Sequence, residues 1–293
     1  GRRIWRNAAL ERGMPGNTEL PDIGLSIDVD GIQTNYHDCG EGDPVILLHG
    51  SGPGVTAWQN WRGILPKLGE THRVLAPDIV GFGFSQLPEG EKPGIKLWTR
   101  HLAGFIEALG LDRVTLVGNS FGGALALGMM AFHSDKVRSL ILMGTPAGEF
   151  EQTQGLADSR SFEPSMDAMR AMMKAFPYDP SIVTDEAVAA RLRVAEIASG
   201  KETIRKLQPG ADQASKGPRI VKGIPLEQLK AIDAPTLILH GREDKMIPLH
   251  VAVRMHEHLK RSEMHVYGQC GHWVQLEREH QFLDQIRAFL RRN

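Results

Sequence analysis

Val114-Thr115-Leu116-Val117-Gly118-Asn119-Ser120-Phe121-Gly122-Gly123 is the stretch from which the fold can be read. A short β-prone run breaks into a Gly-x-Ser-x-Gly turn, and a helix-like stretch, Gly122–Phe132, follows at once. A serine on such a strand–turn–helix corner sits on a tight, strained turn that lifts its hydroxyl above the sheet, and flanking glycines relieve the crowding. The Phe121 amide, at the start of the helix, is then available as an oxyanion donor. Taken alone, the five-residue pattern is short enough to arise by chance as a plain glycine-rich turn. The elements on either side give it weight.

The same alternation extends in both directions. Leu25–Val29 and Ile32–His37 read as a hairpin around an Asp30-Gly31 turn. Pro44–Leu48, Val74–Ala76, Val137–Met143 and Thr236–Leu239 are short continuous apolar runs, as strands covered on both faces are. Helical stretches such as Lys96–Leu109 and Gly122–Phe132 lie between them. Strands alternating with helices imply βαβ units, hence an α/β architecture with a mostly parallel sheet and helices on both faces. Between residues 149 and 222 no strand-like run is visible, and Pro164–Phe176 and Thr184–Ser199 read as helices. An all-helical insertion into a parallel sheet is expected to form a lid over its carboxyl edge, where ligands bind in such folds. The expected organisation is therefore an irregular arm at 1–22, broken by Pro15, Gly16 and Pro21, a core at 23–148 and 223–293, and a helical lid at 149–222.

A second oxyanion donor is expected from His49-Gly50-Ser51-Gly52-Pro53-Gly54, directly after the run PVILL. Its glycines let the backbone approach a ligand, and Ser51 is the candidate, by its amide and by its hydroxyl. No dinucleotide or Walker pattern follows, which argues against a phosphate loop. A nucleophilic serine needs a base, and the base needs an orienting acid. Among 12 histidines, His272 stands out, because Cys270-Gly271-His272-Trp273 is loop-like between the short run Met264–Tyr267 and a helix-like C-terminal stretch. The acid should follow TLILH, where Gly241-Arg242-Glu243-Asp244 offers both Glu243 and Asp244. The order serine, acid, histidine along the chain is the one Gly-x-Ser-x-Gly hydrolases use.

Composition narrows the class. The chain has 293 residues, 41% hydrophobic and 24% charged, with a formal net charge of -1, as a globular protein does. Such a balance gives no reason to expect nucleic acid or an anionic membrane as partner. Arg2, Arg3 and Arg6 are followed by no apolar stretch of the kind a secretion signal carries, and no run approaches the roughly 18 residues of a transmembrane helix. Cys39 and Cys270 cannot form a disulfide framework, and a reducing, cytoplasmic setting fits them. Neither has a partner at metal-ligand spacing, so no metal and no organic cofactor is expected.

Taken together, HGSGPG, GNSFGG, GREDKMIPL and GQCGHW resemble the meta-cleavage-product hydrolases of bacterial aromatic degradation, members of the α/β-hydrolase superfamily. The chain is most similar to those acting on 2-hydroxymuconic semialdehyde and its alkyl relatives, from about Ile23 to the C-terminus. The resemblance implies a triad of Ser120, Asp244 and His272, and so selects Asp244 over Glu243. It implies oxyanion donors at Ser51 and Phe121, and substrate contacts at Asn60, Asn119, Phe176, Arg191 and Trp273. Arg193, two residues on, would face elsewhere on a helix. The implied substrate is a small 2-hydroxy-6-oxo-hexa-2,4-dienoate, with Arg191 gripping its carboxylate, and homo-oligomerisation is implied as well. Met166, Met169, Met172, Met173 and Phe176 form a stripe at helical spacing, which reads first as packing and second as a pocket wall for the substrate's C6 group. The rival readings are a general serine carboxylesterase or thioesterase, and a ligand-binding protein of the same fold without turnover.

Overall fold

The computed structural model describes residues 20–160, 164–198 and 219–293. The chain enters the sheet as a hairpin of β1 (Leu25–Val29) and β2 (Ile32–Cys39). Asp30 and Gly31 close it with φ of 53° and 83°, the left-handed pair that a two-residue type I′ turn requires. There follow β3 (Pro44–Leu48), α1 (Ala57–Trp61), α2 (Leu65–Leu68), β4 (Arg73–Pro77) and α3 (Ile95–Ala108). Next come β5 (Val114–Asn119), α4 (Phe121–Phe132) and β6 (Val137–Met143). The insertion holds β7 (Glu149–Glu151), α5 (Gln154–Arg160), α6 (Met166–Lys174), α7 (Asp185–Ile197) and β8 (Ile220–Lys222). The chain then runs through α8 (Leu226–Leu229), β9 (Thr236–Gly241), α9 (Leu249–His258), β10 (Ser262–Tyr267), α10 (Val274–Glu277) and α11 (Glu279–Leu290).

Eight strands form one sheet in the order β1-β2-β4-β3-β5-β6-β9-β10. The two pairings at the β1 end are antiparallel and the remainder are parallel. Alternation along the strands divides the core in two. Ile46, Leu48, Leu116, Leu140 and Ile238 pack with Trp98, Phe105, Leu125 and Met255 of α3, α4 and α9. Val45, Leu47, Val117, Ile141 and Leu239 face the other way, onto Trp61, Leu68, Phe282 and Ile286 of α1, α2 and α11. Period-two side chains buried on both faces explain why these strands read as unbroken apolar runs. No helix among the described residues is long and apolar enough to cross a membrane.

The insertion differs from the all-helical expectation at its neck. β7 and β8 pair antiparallel, with Phe150 opposite Val221, and close the entry and exit of the segment. Gly148 N–H donates to the Ile224 carbonyl, and Gly223 N–H to the Gly148 carbonyl, both at 2.8 Å. Strands of three residues carrying Glu149, Glu151 and Lys222 are too short and too charged to show a strand period. Beyond the neck, α6 and α7 start at side-chain caps, Ser165 accepting from Ala168 N–H and Thr184 from Ala187 N–H. Met169, Met172 and Met173 are buried with Val183, Val188 and Trp273, so the stripe packs, whereas Met166 in the first turn is exposed. Parts of the expected lid (161–163 and 199–218) and arm (1–19) lie outside the described residues. At the end of that arm Asp22 is buried, and its carboxylate accepts from the Thr56 hydroxyl at 2.5 Å.

Candidate active site

The Ser120 corner is built from close backbone approaches. Ser120 has φ 54° and ψ -113°, a conformation that costs a non-glycine residue about 1–3 kcal/mol. Its amide donates to the Met143 carbonyl at 2.7 Å, which pins the corner to the end of β6. The Ser120 carbonyl accepts from Gly123 and Ala124 as α4 begins, and the Phe121 amide, in the first turn, has no acceptor among the described residues. A Cβ on Gly122 would stand 2.2 Å from the Leu48 carbonyl, so only glycine lets α4 begin so close to β3. The Phe121 ring is held edge-on against Trp98, with centroids 4.6 Å apart.

Because β5, β6, β9 and β10 are neighbours, the loops leaving their carboxyl ends meet. His272 Nδ1 lies 2.7 Å from Asp244 Oδ2, and both side chains are buried. A carboxylate only accepts, so Nδ1 carries a proton, and the tautomer that this bond selects in a neutral ring has Nε2 as its acceptor. The other Asp244 oxygen accepts from Met246 and Ile247 N–H at 2.7 and 3.0 Å. Burial pushes the Asp244 carboxyl up, but His272 beside it, His240 and the Ile247 amide together hold it below its ordinary range. Glu243, the other acid offered by the sequence, turns to Arg242 and to Cys270 N–H instead. Gly144, at φ 49°, makes the space for the pair, since a Cβ there would stand 2.7 Å from the His272 ring and 3.2 Å from Asp244 Oδ2. His240 flanks the same oxygen at 3.7 Å while bonding the Ile247 carbonyl.

On the opposite side, the glycine loop is oriented by a buried histidine. His49 Nε2 accepts from Ile79 N–H at 2.9 Å, so its Nδ1 donates to the Gly50 carbonyl at 2.6 Å. Burial pushes the His49 imidazole down to about 4, against the Gly50 bond, and keeps it neutral. A planar trans peptide places C=O and N–H on opposite sides, so with the Gly50 carbonyl held by His49 the Ser51 amide faces the other way. Ser51 itself is exposed. Asn60 Oδ1 lies 3.5 Å from Gly50 N–H, and its buried Nδ2 has no partner among the described residues. Asn119 Nδ2 donates to the His272 carbonyl at 3.4 Å, and its Oδ1 would be 3.3 Å from a Cβ on Gly50, so it sits between the two loops.

Arg191 comes from α7 and is 6% exposed. Its Nε donates to the Pro53 carbonyl at 3.0 Å, and its Nη2 would meet a Cβ on Gly52 at 3.1 Å. Among the described residues no carboxylate pairs with it, and burial pulls the guanidinium down to about 10. Arg193 is exposed, as its helical phase requires. Phe176 stacks on Trp273 with centroids 5.0 Å apart and rings 4° from parallel, and lies 5.7 Å from the His272 ring. The candidate site residues named from the sequence thus all lie on strand ends, loops or helices around this edge. Gly144, His240 and the role of the His49 ring were not singled out. Only Gly144, closing an apolar strand, carried a signal, since the His49 ring reaches Ile79 on another strand end and His240 meets Asp244 by a contact that no motif marks.

Residues 45–285 match the alpha/beta hydrolase family model. The chain is 45% identical to the 2-hydroxy-6-oxo-2,4-heptadienoate hydrolase of Pseudomonas putida, over 92% of this chain and 96% of that one. It is 39% identical to a 2-hydroxymuconate semialdehyde hydrolase of a Pseudomonas species, covering 92% and 94% respectively. The solved meta-cleavage product hydrolase CumD of Pseudomonas fluorescens superposes with a TM-score of 0.86 at 38% identity, covering 93% of this chain and 99% of that one.

Proposed function

The chain belongs to the alpha/beta hydrolase family, and within it to the meta-cleavage-product hydrolases, and from that premise we propose that it hydrolyses the C5–C6 bond of 2-hydroxy-6-oxo-hexa-2,4-dienoates. The products are 2-hydroxypenta-2,4-dienoate and a short carboxylic acid. The substrates are 2-hydroxymuconic semialdehyde and its short 6-alkyl analogues, which the names of the 39% and 45% identical relatives support. In this reading Ser120, His272 and Asp244 are nucleophile, base and orienting acid, and Ser51 and Phe121 supply the oxyanion amides.

The chemistry assigns the remaining residues. A bare C5 carbanion is too poor a leaving group, so the dienol first ketonises, placing a proton on C5 and a carbonyl at C2. His272 Nε2, the free base of the pair, carries that proton. Ser120 then attacks C6, its proton passing to His272, and the tetrahedral oxyanion faces the Ser51 and Phe121 amides. One such donor is worth about 2.7–4 kcal/mol of barrier. Collapse breaks C5–C6, the electrons run to the C2 oxygen as a dienolate, and water releases the acyl group as formate or acetate. Arg191 and Asn119 hold the carboxylate and the C2 oxygen, and Asn60 Nδ2 adds a donor from α1, beside the glycine loop. Phe176 and Trp273 wall the C6 end. The same reading places a cofactor-free, self-associating enzyme in the cytoplasm, with two free cysteines in support of a reducing compartment.

The observation that carries the narrow reading is Arg191, a buried guanidinium that no carboxylate satisfies among the described residues, set against the glycine loop. An esterase of small neutral acyl groups has no use for such a cation. The test follows the visible absorbance of 2-hydroxymuconic semialdehyde and of its 6-methyl analogue, with Ser120→Ala as control. Bleaching with release of formate or acetate is expected. Hydrolysis of simple esters with no bleaching would return the chain to the carboxylesterases, and tight binding without turnover would make it a ligand receptor.

A further inference from the structure

Glu277, the last residue of α10, touches none of the reacting groups, yet it joins the two segments on which the His272 side of the site depends. Both its carboxylate oxygens accept from Gly271 N–H, at 2.9 and 3.0 Å. Oε2 also accepts from Tyr178 N–H, in the connection between α6 and α7, at 2.7 Å. Between these bonds, His272 N–H donates to the Phe176 carbonyl at 2.8 Å, and the Phe176 ring stacks on Trp273. A Cβ on Gly271 would stand 2.5 Å from the Phe176 carbonyl and 2.7 Å from Tyr178 N, so the two backbones are in direct contact. Residues 176–178 of the insertion and 271–273 of the core therefore form one hydrogen-bonded body, closed by a charge-assisted acceptor that serves both.

We propose that Glu277 is a positioning residue: it latches residues 176–178 of the insertion to the His272 loop, so that the imidazole is in register with Ser120 only while the insertion is seated. The inference deepens the reading above and rests on its assignment of His272 as the base. The local chemistry distinguishes geometry from charge. In Glu277→Gln the amide oxygen, set in the place of Oε2, can still accept from both Gly271 and Tyr178, and a small rotation about the terminal bond takes the amide NH2 off the Gly271 N–H that Oε1 shares. Glu277→Asp keeps the charge but is shorter by one methylene, about 1.5 Å, and cannot span the two N–H groups.

The test compares the two variants with wild type in two assays. One is dienoate bleaching, resolved into kcat and KM. The other is the rate at which an alkyl fluorophosphonate labels Ser120, a step in which phosphorus–oxygen bond formation expels fluoride and His272 takes the hydroxyl proton. Positioning losses of about 1 Å cost up to roughly 100-fold. Glu277→Asp should therefore lose about tenfold or more in kcat and in labelling rate, with KM within about threefold, while Glu277→Gln stays within about threefold of wild type throughout. The opposite ranking would show that charge matters and not reach, and would overturn the latch. Equal losses in both variants, no loss in either, or a change confined to KM would overturn it as well. Labelling does not use the dienoate, so if wild type labels but fails to bleach, the substrate reading has failed and the latch is still measured.

Discussion

Replacing Arg191 with methionine should make the protein more stable and far less active on its substrate. The guanidinium is 6% exposed and burial draws it from 12.5 to about 10, which amounts to about 3 kcal/mol spent in keeping it charged. Methionine removes that cost and keeps an apolar stem of similar length. It also removes the bond from Nε to the buried Pro53 carbonyl, and an unsatisfied carbonyl costs about 1–3 kcal/mol. The net is a gain of about 1 kcal/mol, or roughly 3 °C in melting temperature for a chain of this size. Against that, a buried hydrogen-bonded charge pair with the substrate carboxylate is lost, at about 2–5 kcal/mol. On the dienoate, kcat/KM should fall by roughly 30-fold to several thousand-fold, the same energies at about 1.4 kcal/mol per decade.

The assay pairs two substrates with a thermal melt. A dienoate bears the carboxylate and 4-nitrophenyl acetate does not, so only the first should suffer. Equal losses on both substrates would mean that the substitution disturbed the site as a whole. A lower melting temperature with unchanged kcat/KM on the dienoate would refute the reasoning outright, since Arg191 would then be a structural strut for Pro53.

The strained corner and one buried histidine supply two more tests. Ser120→Gly should melt higher than Ser120→Ala by roughly 1 kcal/mol, because only glycine adopts φ 54°, ψ -113° freely, while both variants lose about 10⁴-fold or more in turnover. Equal melting temperatures would remove the strain from the account. His101 is buried against the Thr34 hydroxyl at 2.8 Å, and burial pushes it down to about 4. Between about 6.5 and 4 the unfolded chain binds a proton that the folded one refuses, so stability falls as pH drops through that window, by about 3 kcal/mol when complete. His101→Gln cannot titrate and keeps a donor for Thr34. Its loss of melting temperature between pH 7.5 and 4.5 should be smaller than that of wild type by several degrees, and an unchanged loss would sink the assignment.

What could be read from the sequence follows from the kind of contact involved. Val114–Gly123 was legible because a strand, a strained corner and a helix start are local events, each with its own composition. That Ser120, Asp244 and His272 all follow the carboxyl ends of β5, β9 and β10 was legible one step further on, because in a parallel sheet every strand of the same direction delivers its carboxyl-end loop to the same edge. Arg191 and Arg193 separated for an equally local reason, two residues being 200° apart on a helix. The β7–β8 ribbon escaped because three residues are too few to display a period, and its partner lies about 70 residues away. Met166 belongs to the methionine stripe by spacing but stays exposed in the first turn of α6, and spacing does not encode which turns a neighbour covers.

Glu277 and His49 are the instructive omissions. Each satisfies a backbone group on a segment remote in sequence; Glu277 belongs to no pattern of its own, and the motif that His49 opens does not show that its ring reaches Ile79. Residues that perform chemistry recur in recognisable sets because the reaction constrains their identity. The groups that aim them are constrained only by the location of an unpaired amide or carbonyl once the chain has folded, and almost any polar side chain of suitable reach can serve. Machinery of the first kind can therefore be read in one dimension, and the second becomes visible only when each backbone hydrogen bond at the site is followed to its partner.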